Sequence, residues 1–206
     1  MNKQQIGFEP QEVSAMNKQP TAAELEEAIV IVAPSVNDTY YAPLFDEIIA
    51  YDIAFVNQVR QHTNVVLVVD SATMSHVRGK VPAANLLEAA VNDIWARDFG
   101  PVFPNNPVKF RFRPDYMSNG DAAWVENSFN RLAGNLGLPL ASSSLILDGG
   151  NFVHNGADKA IVSTRVFADN ANLSEAAVDQ QLRSATGVAV AHVVRSKAKF
   201  DGVIGE

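Results

Sequence analysis

The sequence predicts an α/β protein, because short runs of β-branched apolar residues alternate along the chain with segments of helical periodicity. Two of these runs, Ala28–Ala33 and Val65–Val69, have the length and composition of buried strands. Between them, apolar residues from Leu44 to Val59 recur at steps of three and four, which is typical of an amphipathic helix. These observations give the fold class without a named topology.

Three further helices are predicted from their terminal residues. The first is short, is capped at Asp70 and the serine after it, and reaches His76. The second covers Asp121–Leu136 and stops at Gly137, and Ser174 caps the third. Strands are predicted around glycine turns at Ser144–Leu147, Asn151–His154 and Ala160–Ser163, and a last strand at Val188–Val194.

A half-exposed strand is predicted at residues 108–113, after glycine and prolines have broken the chain between residues 100 and 107. Apolar and basic side chains alternate along it, so the two kinds are expected on opposite faces. Phe110 and Phe112 are expected to face the core. The expected solvent face consists of Lys109, Arg111 and Arg113.

The composition excludes several classes of function. The 206-residue chain has a formal net charge of -7, which disfavours nucleic acid and anionic membranes as partners and suits a cationic small molecule. It contains no cysteine, which removes disulfides, thiolate metal sites and a cysteine nucleophile. With no apolar run long enough to span a bilayer and no secretory signal, a cytoplasmic protein is expected. Residues 1–21 are predicted to form a flexible arm, and residues 22–206 a domain.

The first chemical motif joins an acid and an aromatic residue to a glycine–proline turn, in the sequence Trp95-Ala96-Arg97-Asp98-Phe99-Gly100-Pro101. A buried guanidinium needs a carboxylate fixed in its plane, and an aromatic face beside it adds to the attraction. Asp98 and Trp95 suit these two roles, since Gly100 permits close backbone approach. A surface loop with an Arg97–Asp98 ion pair is the simpler interpretation, and the residues alone leave both open.

The second motif, Leu147-Asp148-Gly149-Gly150-Asn151, lies between two predicted strands. Its carboxylate beside two glycines is compatible with a ligand site. However, an Asp-Gly pair between strands is also the usual signal of a hairpin turn. The residues alone do not decide between the two.

Together the two motifs resemble the agmatine deiminase and bacterial peptidylarginine deiminase family. That family shows Trp-x-Arg-Asp-x-Gly-Pro and, further along, Leu-Glu-Gly-Gly-Asn/Ser; both stand here in order, with Asp148 in place of the glutamate. The similarity extends from about Ala28 to the C-terminus. It implies the pentein fold, a propeller of five ββαβ modules, of which this chain would supply about three. The expected fold is therefore an incomplete pentein-type α/β propeller.

The resemblance implies hydrolysis of a guanidinium, in agmatine or in peptidyl-arginine, to a ureido group with release of ammonia. In complete members a cysteine thiolate attacks the guanidinium carbon, a histidine transfers protons, and no metal or organic cofactor is needed. Asp98 would be the catalytic residue that holds the guanidinium, and Trp95 would line the pocket. Asp148 and Asn151 would border the substrate. The expected partner is a cationic guanidino small molecule or an arginine side chain.

The sequence departs from the family in two places. It has Arg113-Pro114-Asp115-Tyr116 where members often have Asn-x-Trp-Gly. It also has Gly202-Val203-Ile204-Gly205-Glu206 where members continue Val-x-Gly-His-x-Asp-Gly, and the distal cysteine is absent. We therefore expect a truncated chain that is inactive alone. Two alternatives stay open: a non-catalytic guanidinium- or polyamine-binding protein, and one half of a two-chain site.

Truncation is also expected to leave a sheet edge uncovered. The predicted strand Val188–Val194 is almost wholly apolar. Exposed apolar edges pair with other chains, so self-association, or a partner that covers this edge, is expected.

Overall fold

The computed structural model describes residues 28–102, 107–188 and 190–194, and in this part of the chain eight strands form three small sheets. The predicted arm at residues 1–21 lies outside the described residues. The strands are β1 Ile29–Val32, β2 Val65–Val69, β3 Leu86–Glu88, β4 Val108–Arg111, β5 Ala141–Ile146, β6 Phe152–His154, β7 Lys159–Ser163 and β8 Val190–Val194. The helices are α1 Phe45–Val59, α2 Met74–Val77, α3 Ala96–Phe99, α4 Asn119–Leu136, α5 Arg165–Asp169 and α6 Glu175–Thr186. No helix within the described ranges is long and apolar enough to cross a membrane.

The first sheet has the order β1-β2-β3, and all its strands are parallel. The amphipathic helix α1 connects β1 to β2, as a crossover between parallel strands requires. All five residues of β2 are buried, because helices pack on both faces of this central strand. Its uninterrupted Val-Val-Leu-Val-Val sequence is the pattern expected of a strand covered on both sides.

The other two sheets also contain a pair of parallel strands joined by a crossover helix. In the second, β4 pairs in parallel with β5, and α4 makes the crossover. In the third, β6 is antiparallel to β7, β7 is parallel to β8, and α6 connects the last two strands, which makes a complete ββαβ unit. Three sheets, each with a crossover helix, agree with the predicted α/β propeller of about three modules.

The predicted solvent face of β4 is wrong at Lys109 and Arg113. Lys109 is only 5% exposed, because α4 covers this side of the strand. Its Nζ lies 3.1 Å from Oε1 of Glu126 on α4, and Nη1 of Arg113 lies 2.8 Å from Oε2 of the same carboxylate. The alternation of the sequence identified two faces correctly, but Glu126 on the helix pairs with two of the three basic side chains in a largely buried ion-pair network, and Arg111 stays exposed.

Some short elements were not predicted at all. These are β3, α3 and α5, which have three to five residues each and are too short to show a period. The short helix predicted after Asp70 begins later, at Met74, because the Asp70 carboxylate accepts the Thr73 N–H at 2.7 Å and forms a turn first. Gly137 ends α4 with φ of 67°, as predicted from the sequence.

Asp52 is a buried acid on the apolar face of α1, in line with Ile49 and Val56. Its side chain lies against core residues, its residue is 6% exposed, and its Oδ2 atom has no hydrogen-bond partner among the described residues. Burial raises the pKa of this carboxyl to about 7. The folded protein therefore favours the neutral form of Asp52.

We predict that folding stability falls as the pH rises from about 3.8 to about 7, and that Asp52→Asn removes this contribution. Below this window Asp52 is protonated in both the folded and the unfolded chain. Within it the unfolded chain loses the proton first, so ionisation favours unfolding. Urea titrations at both ends of the window measure the effect, which should be on the order of a few kcal/mol. The exposed Asp46→Asn in the same helix is the control; an equal pH slope in D52N and D46N would contradict the prediction.

Candidate functional site

The first motif forms a single helical turn, α3, rather than a loop. Asp98 N–H donates to the Trp95 carbonyl at 2.9 Å, and Gly100 N–H donates to the Ala96 carbonyl at 2.7 Å. Phe99 is buried and packs edge-on against Phe112, with ring centroids 5.8 Å apart. The aromatic core therefore fixes the turn that carries Asp98.

The second motif forms a 3₁₀ turn at Gly149–Asn151. It connects β5 to β6, which belong to different sheets, so the hairpin interpretation is excluded. The Asn151 side chain has a structural task here, because its Oδ1 atom accepts the Ser163 N–H at 3.1 Å at the end of β7. The turn is thereby attached to the third sheet.

The two motifs lie directly against each other. Gly150 N–H donates to Oδ1 of Asp98 at 3.1 Å, and Arg97 Nη2 donates to the Phe152 carbonyl at 2.9 Å. A Cβ atom on Gly149 would lie 2.0 Å from the Arg97 carbonyl oxygen, and one on Gly150 would lie 2.5 Å from Asp98 Oδ1. Position 149 therefore requires glycine for this approach, whereas an added Cβ at Gly150 would displace the end of the Asp98 side chain. The contact brings together residues more than fifty positions apart in the sequence.

The Asp98 and Asp148 carboxyl groups both have raised pKa values. Burial is the main cause for Asp98; the Asp93 charge raises its pKa further, while the Gly150 N–H and Arg97 oppose the shift. Burial also raises the pKa of Asp148, and the Asp98 charge adds to it against the opposing effect of Arg165. Each carboxylate is thus in an environment that disfavours its negative charge, and a bound cation would relieve both.

Arg165 only partly compensates these acids. Its Nη2 atom lies 3.1 Å from Asp115 and its Nε atom 3.2 Å from Asp169, so its guanidinium is already engaged in two ion pairs. Both pairs are partly exposed, and exposed pairs are weak. The pKa values of Asp98 and Asp148 therefore stay raised although Arg165 lies nearby.

Trp95 takes a different position from the other predicted site residues. Its side chain is 62% exposed and lines a cleft of about 890 Å³ at the carboxyl ends of β1, β2 and β3. Asp98, Asp148 and Asn151 do not line this cleft. Tyr116 lies between the two places: it lines the cleft, and the charges of Asp98 and Asp148, after burial, raise the pKa of its hydroxyl.

Two residues of this region, Asp93 and Tyr116, were not predicted from the sequence. Asp93 accepts hydrogen bonds from the Tyr41 hydroxyl at 2.9 Å and from Trp95 N–H at 3.3 Å. The position of Asp93, two residues before the first motif, could have indicated that it lies near the site. Nothing in the sequence indicated that Tyr116 would approach Asp98. The described part of the chain contains no group of three His, Cys, Asp or Glu residues that could hold a metal ion.

Comparisons with known proteins agree with this fold. The family model for Porphyromonas-type peptidyl-arginine deiminase matches residues 18–201. Among solved structures, C. jejuni agmatine deiminase has a TM-score of 0.65 at 16% identity, covering 82% of this chain and 52% of its own. Agmatine deiminase of Enterococcus faecalis has a TM-score of 0.64 at 18% identity, and the match covers 86% of this chain and 52% of that structure. A cysteine-to-serine variant of the C. jejuni enzyme with substrate bound has a TM-score of 0.63 at 19% identity. The match covers 91% of this chain and 58% of that structure.

The chain thus spans slightly more than half the length of the solved deiminases that it matches. At these identities the likeness shows the fold alone. No curated protein matches the sequence.

We predict that Gly149→Ala destabilises the protein by about 2 kcal/mol or more, because its Cβ would overlap a backbone oxygen that cannot rotate away. Gly134→Ala is the matched control. Gly134 lies in the exposed part of α4 with nothing within 4 Å of the added atom, so alanine should stabilise the helix by about 0.5–1 kcal/mol. Urea unfolding of the two variants measures both effects; a G149A variant as stable as the parent would show that the two motifs do not pack as described.

Proposed function

The chain belongs to the Porphyromonas-type peptidyl-arginine deiminase family, and we propose on this basis that Asp98 and Asp148 bind the guanidinium group of an agmatine-like molecule or of an arginine side chain. The observation that carries the proposal is the hydrogen bond from Gly150 N–H to Asp98. It holds one carboxylate in a fixed position beside the second motif. Positioning the acid before the ligand arrives reduces the cost of ordering it on binding.

The chemistry of guanidinium suits this pair. The group is planar, always charged at neutral pH, and carries five N–H donors. Gly150 engages Oδ1 of Asp98, which leaves Oδ2 to accept from a ligand, and Asp148 offers a second carboxylate nearby. Because burial disfavours the negative charge on both acids, a guanidinium placed between them would gain more than it would at an exposed carboxylate.

The complete reaction of the family needs more than these two acids. In the reaction implied by the resemblance, a thiolate attacks the guanidinium carbon, ammonia leaves, and water then hydrolyses the thiouronium to a ureido product. The 206 residues contain no cysteine. On this proposal the chain supplies carboxylates that hold the substrate, and a thiolate would have to come from outside these residues. The same absence favours the second candidate, a guanidinium-binding protein without catalysis.

We predict that Asp98→Asn and Gly150→Ala each weaken agmatine binding by about tenfold or more. The first change removes the charge. The second keeps the charge but places a methyl group 2.5 Å from the present position of Asp98 Oδ1, which displaces the carboxylate. Isothermal titration calorimetry measures the affinities, with Asp46→Asn as the control for a lost surface charge. Unchanged affinity in both site variants would place guanidinium binding elsewhere.

The same titrations should depend on pH. Binding needs ionised carboxylates, and the pKa values of Asp98 and Asp148 are both raised. Protons therefore compete with the ligand, and affinity should fall as the pH is lowered through these pKa values, at less acidic pH than for an ordinary aspartate. Affinity that stays constant down to the ordinary range of aspartate would contradict the assigned pair.

We further predict that the 206-residue chain does not convert guanidino compounds to ureido products. Hydroxyl groups of serine and threonine are poor nucleophiles without a positioned base, and the chain has no thiol to replace them. Ammonia release from agmatine and from arginine peptides is the measurement, and Asp98→Ala is the background control. Turnover clearly above that background would overturn this part of the proposal while leaving the binding site intact.

A further inference from the structure

A guanidinium group of the chain itself lies beside the proposed site. Arg165, at the start of α5, pairs with acids from two different segments. Its Nη2 atom lies 3.1 Å from Oδ1 of Asp115, in the connection from β4 to α4, and its Nε atom lies 3.2 Å from Oδ2 of Asp169, at the end of α5. We call this arrangement the Asp115–Arg165–Asp169 bridge. A guanidinium carries five N–H donors, so these two contacts occupy only part of its donor capacity.

A buried amide holds the bridge close to Asp148. Asn170 directly follows Asp169 and is only 4% exposed. Its Oδ1 atom accepts the Ile146 N–H at 2.9 Å, while its Nδ2 atom donates to the Ile146 carbonyl at 2.9 Å and to the Val166 carbonyl at 2.8 Å. Ile146 ends β5, two residues before Asp148. The helix that carries Arg165 is therefore attached to the strand end that leads into Asp148.

The charge of Asp148 depends on the bridge. Burial has the largest effect on its pKa and raises it; the Arg165 charge comes next and lowers it, whereas Asp98, Asp169 and Asp115 raise it. Burial opposes the charge of Arg165, but Asp169 and Asp115 outweigh it and raise the pKa of this guanidinium. Within the described residues the ion pairs of Arg165 are with Asp115 and Asp169, and none joins it to Asp148. Arg165 thus acts on Asp148 from a short distance while it is bound elsewhere.

The contact with Asp115 is the one that can open. The Asp115 side chain is 79% exposed, against 24% for Asp169, and exposed ion pairs contribute little to stability. Asp169 and Arg165 belong to the same short helix, so that pair stays together when the helix does. Asp115 also lies in the segment Arg113-Pro114-Asp115-Tyr116, which stands where the family often has Asn-x-Trp-Gly. This half of the bridge is therefore no part of the family pattern that the sequence resembles.

From these contacts we infer that Arg165 is an internal competitor for Asp148, and that Asp115 holds it off the guanidinium site so that a ligand can bind. The inference rests on the proposed function, because Arg165 carries the same chemical group as the proposed ligand. Since Arg165 is tethered next to Asp148, its effective concentration there is high once the Asp115 contact opens. A ligand guanidinium then meets a like charge at a carboxylate that is already neutralised. Asp115 and Arg165 thus affect ligand affinity in opposite directions.

The affinity for agmatine, measured by isothermal titration calorimetry, tests this opposition. Arg165→Gln should tighten binding by about threefold or more, because it removes the competing charge. The control for a lost positive charge is Arg131→Gln, at an exposed position of α4. Asp115→Asn should weaken binding by about threefold in the parent and have little effect in the R165Q background, where there is no arginine to release. An equal loss in both backgrounds would show that only the Asp115 charge matters and would overturn the inference.

A second measurement needs no ligand. The pKa of Asp148 can be followed by NMR of its carboxyl carbon in the parent and in the same variants. R165Q should raise this pKa, because the opposing positive charge is lost. D115N should lower it more in the parent than in the R165Q background, because a released Arg165 moves towards Asp148. The same D115N effect in both backgrounds would contradict the inference whether or not agmatine binds.

Asp98→Asn separates this inference from the proposed function. Agmatine affinity that is unchanged in D98N would remove the proposed function, and the Asp148 titration would still decide whether Asp115 holds Arg165 away. Agmatine affinity that depends on Asp98 but does not increase in R165Q would overturn the inference and leave the proposed function standing. Urea unfolding checks that the variants are folded, and R165Q and D115N should both be close to the parent in stability because their ion pairs are partly exposed.

Discussion

The contact between the α3 turn and the Gly149–Asn151 turn is the constraint on which the site depends. The Arg97 carbonyl approaches Gly149 so closely that no other residue fits there, and the Arg97 guanidinium reaches over to the Phe152 carbonyl. The connection from the first sheet to the second, which contains α3, is thereby packed against the turn that connects the second sheet to the third. Asp98 obtains its position from this contact, because the backbone N–H that orients it belongs to Gly150. Gly149 is therefore explained by packing before any ligand is considered.

The aromatic core below this contact gives it rigidity. Phe99 packs against Phe112, the residue that follows β4, and against Phe129 of α4. Because these rings belong to the same buried cluster as the inner face of β2, the carboxylate-bearing turn is attached to the first sheet as well as to the later ones. A carboxylate held on such a base loses little conformational freedom when it binds a cation.

The charged side chains that are withdrawn from solvent fall into two groups. Lys109, Arg113 and Glu126 compensate one another inside the structure, so this network needs no ligand. Asp98 and Asp148 share no comparable cation, and Arg165 nearby is engaged with two other acids. Partly buried acids whose negative charge is disfavoured are costly to keep in a fold, and perturbed acids of this kind are frequent at functional sites. This contrast is the physical reason for proposing that the binding site lies at Asp98 and Asp148.

The sequence by itself determined the α/β class, the longer strands and helices, and the two motifs, since each rests on local periodicity, capping residues or glycine. It also indicated Asp98 and Asp148 through their resemblance to a known family. It did not reveal that Lys109 is buried, because that depends on Glu126 from a helix later in the chain. Nor did it reveal that Trp95 lines a cleft with Tyr41 and Asp93, or that a supposed hairpin turn links two sheets. Only the tertiary structure decided these points, because each depends on contacts between residues far apart in the sequence.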